Sequence, residues 1–182
     1  YMEKYVPEKE PMGRVTVKQA VKQAYNLLEN AKRPVFLVGQ GVSLAGARKE
    51  FYEYVNEVRI PVITARLGID LIESDNDLYV GRPGNYGERA ANFAIQNADV
   101  IISVGCRLAS SLVGHNPKEF GKHAYLFVVD IDQKELDKPG AKIDYKAQID
   151  CKDFFTKLQE ELAEYQLPSY EEWVVKCNEW KT

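Results

Sequence analysis

Three places in this 182-residue sequence combine residue types that handle phosphates or hydroxyls, and each stands directly behind an apolar run. Gly39-Gln40-Gly41 follows Val35 to Val38. Glycine lets the backbone approach a diphosphate closely, and a helix starting behind it favours anions. The spacing departs from the full dinucleotide fingerprint, because Leu44 stands where the third glycine would fall and the next glycine is Gly46. A tight strand-to-helix turn explains the same residues. Gly105 and Arg107 follow Val100 to Val104. An arginine there can grip a phosphate through two parallel hydrogen bonds, or pair with a surface carboxylate. Asp130 and Asp132 follow Tyr125 to Val129. A carboxylate at a strand end can accept ribose hydroxyls, or cap the turn at Lys134.

Other reactive types carry less. His115 and His123 have no acidic or cysteine partner at ligand spacing and read as surface residues. Ser110-Ser111 lacks the GxSxG context of a nucleophile elbow. Cys106, Cys151 and Cys177 form no CxxC pair, so no zinc site is expected. The residues by themselves offer no catalytic group and no metal ligand.

The elements that must position these residues follow from periodicity. Thr16 and Gln19 form a capping box ahead of a helix reaching about Asn30, with Val17, Ala20, Val21, Ala24 and Leu28 at helical spacing. Val35 to Val38 is apolar on both faces, as in a parallel sheet covered by helices. Leu44, Ala47, Phe51, Val55 and Val58 predict the next helix, and Ile60 to Thr64 a second buried strand; together they make a right-handed βαβ unit. Leu78 to Gly81 reads as a short strand. Asn85 and Glu88 are expected to cap a helix whose face is Ala90, Ala91, Ala94, Ile95 and Ala98. Asp99 to Gly105 and Tyr125 to Ile131 are strong strands, 134–137 one helical turn, and 142–149 a short extended piece. Asp150 caps a helix to about Tyr165. Ser169 and Glu172 read as a second capping box, opening a helix with Trp173, Cys177 and Trp180 on one face. This alternation implies an α/β fold, a Rossmann-like three-layer sandwich around a mostly parallel sheet.

Composition agrees. Hydrophobic residues make up 45% and charged residues 28%, and the net charge is -3, which argues against a nucleic-acid partner. The longest apolar runs are strand-length, so no membrane span is expected. An odd cysteine count and no visible signal peptide suit a cytoplasmic location. The expected layout is an arm over 1–13, a domain over 14–166 and a C-terminal linker helix over 167–182. The Tyr1-Met2 start suggests a segment of a longer protein.

Several ordered motifs resemble one family. AKRPVFLVGQGV…RIPVIT, residues 31–64, resembles the start of the central domain of thiamine-diphosphate-dependent enzymes. GRPGNYGERAANFAIQNADVIISVGCRL, residues 81–108, resembles acetolactate synthase large subunits, as does VVDIDQKELDK, residues 128–138. The resemblance covers about Val17 to Leu162. It implies the central one of three α/β domains, of a fold that binds FAD in acetolactate synthases, ADP in some relatives and nothing in others. It places Gly39, Gln40 and Gly41 at the diphosphate, Ala65 and Arg66 near the flavin arm, Arg107 on the cofactor, Asp130 at the ribose, and Asp150 with Cys151 near the adenine. Thiamine diphosphate and Mg2+ would be held by the other two domains, usually in a homo-oligomer. The GDG motif that opens their binding segment is absent here. Where the family usually reads RFDDRVTG, this chain reads RLASSLVG, with Ala109, Ser110 and Ser111 in place of polar groups expected around a flavin. Arg82-Pro83 also replaces a hydrophobic pair. A self-standing ADP- or NAD-binding module and a ligand-free structural domain are the rival readings.

Overall fold

The computed structural model describes residues 15–181; the expected arm over 1–13 lies outside them. Six strands form one sheet: β1 (Pro34–Val38), β2 (Val62–Thr64), β3 (Tyr79–Gly81), β4 (Val100–Val104), β5 (Tyr125–Asp130) and β6 (Tyr145–Gln148). Their order is β3-β2-β1-β4-β5-β6, and every pairing is parallel. The chain winds outward through β1, β2 and β3, then returns to place β4 beside β1. That reversal makes the β1/β4 boundary the topological switch point, and ligands of open α/β sheets bind outside it.

β1, β2 and β4 are buried along their whole length, as their mostly apolar sequences require, with Thr64 and Ser103 the buried polar side chains among them. On one face lie α1 (Val17–Leu28), α3 (Arg48–Val58) and α7 (Cys151–Glu161). They enclose an aromatic core in which Phe36 meets Tyr54 and Phe155 at 6.0 Å between ring centroids. On the other face, α4 (Arg89–Asn97) brings Ala90, Ala91, Ala94 and Ile95 against the sheet, and α8 (Glu171–Glu179) adds Trp173 and Cys177. Small side chains on α4 let it approach the sheet closely. Short helices α2 (Gln40–Leu44), α5 (Ser110–Val113) and α6 (Gln133–Asp137) follow β1, β4 and β5.

The capping box at Thr16 forms as expected: Gln19 N donates to Thr16 Oγ1 at 3.2 Å and Thr16 N to Gln19 Oε1 at 2.9 Å. Three local expectations need correction. The helix expected from Leu44 to Val58 is two, α2 and α3, because Gly46 turns the chain at φ 66°. Asn85 is not the cap of α4; Glu88 is, and its carboxylate turns back to accept from Arg82 N at 2.6 Å. Ser169 and Glu172 form no capping box. Tyr170 is the N-cap of α8, and Ser169 Oγ accepts only a long bond from Glu171 N at 3.4 Å.

The strands' amino ends are closed by side chains. Trp173 Nε1 donates to Pro34 O at 3.1 Å, and the Tyr170 hydroxyl to Leu28 O at 2.8 Å. Asp99 accepts from Lys32 N at 2.7 Å and Arg33 N at 3.0 Å. Arg59, the non-glycine residue with positive φ (55°) among the described residues, reaches Asp77 at 2.5 Å and Glu171 at 2.6 Å.

Candidate functional site

The residues expected to bind a ligand gather at the carboxyl ends of β1, β4 and β5 in two groups. The first is the glycine turn after β1. Gly39 N donates to Val104 O at 3.1 Å and Gly41 N to Gly105 O at 3.0 Å. A Cβ on Gly39 would stand 2.7 Å from Cys106 Cα, and one on Gly41 2.6 Å from Gly105 Cα. Both glycines are therefore demanded by backbone packed on backbone across the switch point. The space their missing Cβ atoms leave is filled by the turn after β4. Gln40 faces solvent. Cys151 packs beneath the same turn, since a Cβ on Gly105 would meet its Sγ at 2.9 Å. Burial pushes the Cys151 thiol up to about 12, which makes it inert at neutral pH.

The second group lies at β5. Asp130 is only 8% exposed, and its Oδ1 accepts from Asp132 N at 2.9 Å. Burial raises its carboxyl above the usual range, only partly countered by that backbone bond. A carboxylate held this way gains from any further donor. Arg107, behind β4, is exposed, and its Nε donates to Glu135 Oε1 at 2.9 Å. Glu135 also accepts from Lys138 Nζ at 2.5 Å, and hydrogen bonds from Lys138 and then Arg107 hold its carboxyl below the usual range. Reasoning from sequence missed Glu135. The available signal was its position three residues behind the Asp132 cap and three ahead of Lys138, one helical turn each way.

The remaining candidates have local partners. Asp132 caps α6 through Lys134 N at 2.9 Å, and Asp150 caps α7 through Lys152 N at 2.7 Å. Ala65 is half-buried and donates to Val38 O at 2.8 Å; Arg66 is exposed. His115 and His123 are exposed, as expected. Ala109 to Ser111 enter α5, where Ser111 O accepts from Asn85 N at 3.2 Å and braces the 81–87 loop. Two surface depressions lie elsewhere. One of about 310 Å³ is lined by Tyr79, Glu88, Arg89 and Trp180, the other of about 410 Å³ by Arg59, Tyr165 and Tyr170. Among the described residues no group of three or more His, Cys, Asp or Glu side chains could hold a metal ion. No helix of the described residues is long and apolar enough to cross a membrane.

The sequence pattern of the family described as thiamine pyrophosphate enzyme, central domain, matches residues 21–158. The chain belongs to this family. That interval holds all six strands and the helices α3, α4 and most of α7, so the match is to the whole sheet and not to one motif. Relatives agree. A probable acetolactate synthase large subunit of Methanococcus aeolicus is 37% identical over 118 residues, 65% of this chain and 20% of that protein. Another from Methanocaldococcus jannaschii is 32% identical over 161 residues, 88% of this chain and 27% of that protein. The acetolactate synthase large subunit of Cyanidium caldarium is 29% identical over 174 residues, 94% and 29% of the two chains. This central-domain chain thus spans well under a third of the length of these curated relatives.

Proposed function

We propose that this chain works as the central domain of a longer thiamine-diphosphate-dependent enzyme similar to acetolactate synthase. The parent would decarboxylate a 2-keto acid and pass the carbanion-like product to an acceptor carbonyl. The observation that carries this reading is the family match across the whole sheet, combined with relatives several times longer than the matched part. Thiamine diphosphate and Mg2+ would sit on the other two domains, in a cytoplasmic homo-oligomer. The chain's own role is to hold those domains in place.

For a nucleotide, the residues present fit one half of an FAD-like group. The poorly solvated Asp130 carboxylate suits ribose hydroxyls, and the exposed Arg107 suits a phosphate. Nothing equivalent serves the flavin half, where Ala109 to Ser111 form a short helix that braces a neighbouring loop. ADP-like ligands are therefore favoured over FAD. The filled glycine turn supports a second reading, a scaffold with no ligand.

The test is a pair of measurements. The isolated chain, given pyruvate, thiamine diphosphate and Mg2+, should release no carbon dioxide, whereas the full-length gene product should; release that scales with the isolated chain overturns the reading. Titration calorimetry with ADP and FAD on wild type and Asp130→Ala then separates the nucleotide readings. Loss of the ribose contact should weaken ADP about tenfold to a hundredfold, from roughly 1.5–3 kcal/mol per charged hydrogen bond. No heat with either ligand favours the scaffold.

A further inference from the structure

The described residues include eight exposed large hydrophobic side chains, and five of them stand at one end of the molecule. Leu44 is 78% exposed at the end of α2, Leu67 65% and Ile69 52% in the turn after β2, and Ile131 65% behind β5. Tyr86, 100% exposed, tips the loop after β3. All five follow the carboxyl ends of strands. From the β3 loop to the β5 loop is four strand spacings, about 19 Å, the breadth of an ordinary interdomain contact. The Tyr86 loop is also braced. Gly84 N donates to Asn92 Oδ1 at 2.9 Å and Asn92 Nδ2 returns a bond to Gly84 O at 3.2 Å. Asn85 N reaches Ser111 O, and Arg82 pairs with Glu88 at 2.9 Å. An aromatic ring held out on so constrained a loop loses little freedom on binding, which is what an interface anchor needs.

We propose that this apolar rim is the docking face for the flanking domains of the longer polypeptide, with Tyr86 inserting into an apolar pocket of one of them. The proposal rests on the central-domain reading above. It commits to the parent chain because the matched relatives carry more than two thirds of their length outside the region shared with this one. The sheet's two faces are already covered by α1, α3 and α7 on one side and by α4 and α8 on the other, and its amino ends by Trp173, Tyr170 and Asp99. The carboxyl-end rim is a surface on which a neighbour can bury apolar area.

Thiol labelling tests this directly. The three native cysteines of this chain are buried, with thiols pushed up to about 12 by burial, so an introduced surface cysteine reacts alone in the isolated chain, and in the longer protein labelling is read at the introduced position by peptide mapping. Tyr86→Cys, Leu67→Cys and a control, Tyr52→Cys on α3, are each placed in this chain and in the full-length gene product. Positions 86 and 67 should label fast in the isolated chain and roughly tenfold slower or more in the longer protein, with position 52 unchanged. Equal rates in both settings, or uniform slowing at all three positions, overturn the proposal. So does concentration-dependent protection of positions 86 and 67 in the isolated chain, which would assign the rim to a second copy. Thiamine diphosphate binding by the same full-length samples reads the functional assignment separately. Binding with an unprotected rim sinks the docking face alone; no binding with a protected rim sinks the activity alone.

Discussion

At the amino ends of the strands, side chains from distant segments close on backbone groups; at the carboxyl ends, turns pack backbone on backbone and leave apolar side chains in water. The first end is tied by Trp173 on Pro34, Tyr170 on Leu28, Asp99 on Lys32 and Arg33, and Arg59 on Asp77 and Glu171. The second is held by Gly39 and Gly41 against Gly105, with Leu44, Leu67, Ile69 and Tyr86 outside. The difference separates two jobs. Side-chain ties fix the domain as a folded unit. A backbone weld keeps the carboxyl end rigid while leaving its outer surface open.

The largest test of that contrast is at Trp173. Trp173→Ala should cost about 3–5 kcal/mol in urea unfolding, because it empties a buried ring site and strips Pro34 O of its donor. Trp173→Phe keeps most of the ring and should cost about 1–2 kcal/mol. Tyr86→Ala at the opposite end should stay within about 0.5 kcal/mol of wild type. A Tyr86 effect comparable to that of Trp173 would erase the distinction between the ends.

Next in size is the weld. Gly39→Ala drives a methyl into the Cys106 backbone, and neither loop can yield without breaking the bond from Gly39 N to Val104 O. A loss of about 1–3 kcal/mol is expected by the same unfolding measurement. An unchanged midpoint would mean that the two turns are not in firm contact, and would favour the diphosphate reading of the glycines.

Much of this was readable before the structure. Strands such as Val35 to Val38 and Val100 to Val104 declare themselves because both faces are buried and apolar residues dominate them, Ser103 being the one polar side chain in the two runs. The caps at Thr16 and Asp150 were legible because capping is local, set within three residues. Failures came where a turn or a contact beyond one helical turn decides. Gly46 splits a helix that periodicity joins, and Glu88 is drawn back to Arg82 so that it, not Asn85, starts α4. The packing of Gly39 and Gly41 on Gly105 could not be read either, because Gly105 is more than sixty positions away. Spacing pointed Glu135 toward Lys138, but its pairing with Arg107 is made by the β4/β5 register and could not be read from sequence spacing.

The smallest effects carry the finest comparison, because carboxylates at the two ends should respond to pH with opposite sign. At the amino end, hydrogen bonds from Arg59 hold Asp77 and Glu171 below the usual carboxylate range. Their contribution is present above the unfolded values near pH 4 and is lost as pH falls through the lower folded ones. These pairs are half-exposed, so each is worth only about 0.2–1 kcal/mol. Arg59→Ala should therefore cost about 1 kcal/mol at pH 7, and its gap from wild type should close below about pH 4. Arg59→Gly should be the more stable of the two variants by about 1 kcal/mol, because glycine adopts φ 55° without strain. At the carboxyl end, burial raises Asp130, so its charged form is a cost that protonation removes. Asp130→Asn should then gain stability at pH 7, with the gain fading as pH falls through the raised folded value. Urea midpoints for the three variants and wild type across pH 3–8 decide it. If Asp130→Asn loses stability at neutral pH, the carboxylate serves the fold, and the case for a ribose at β5 falls with it.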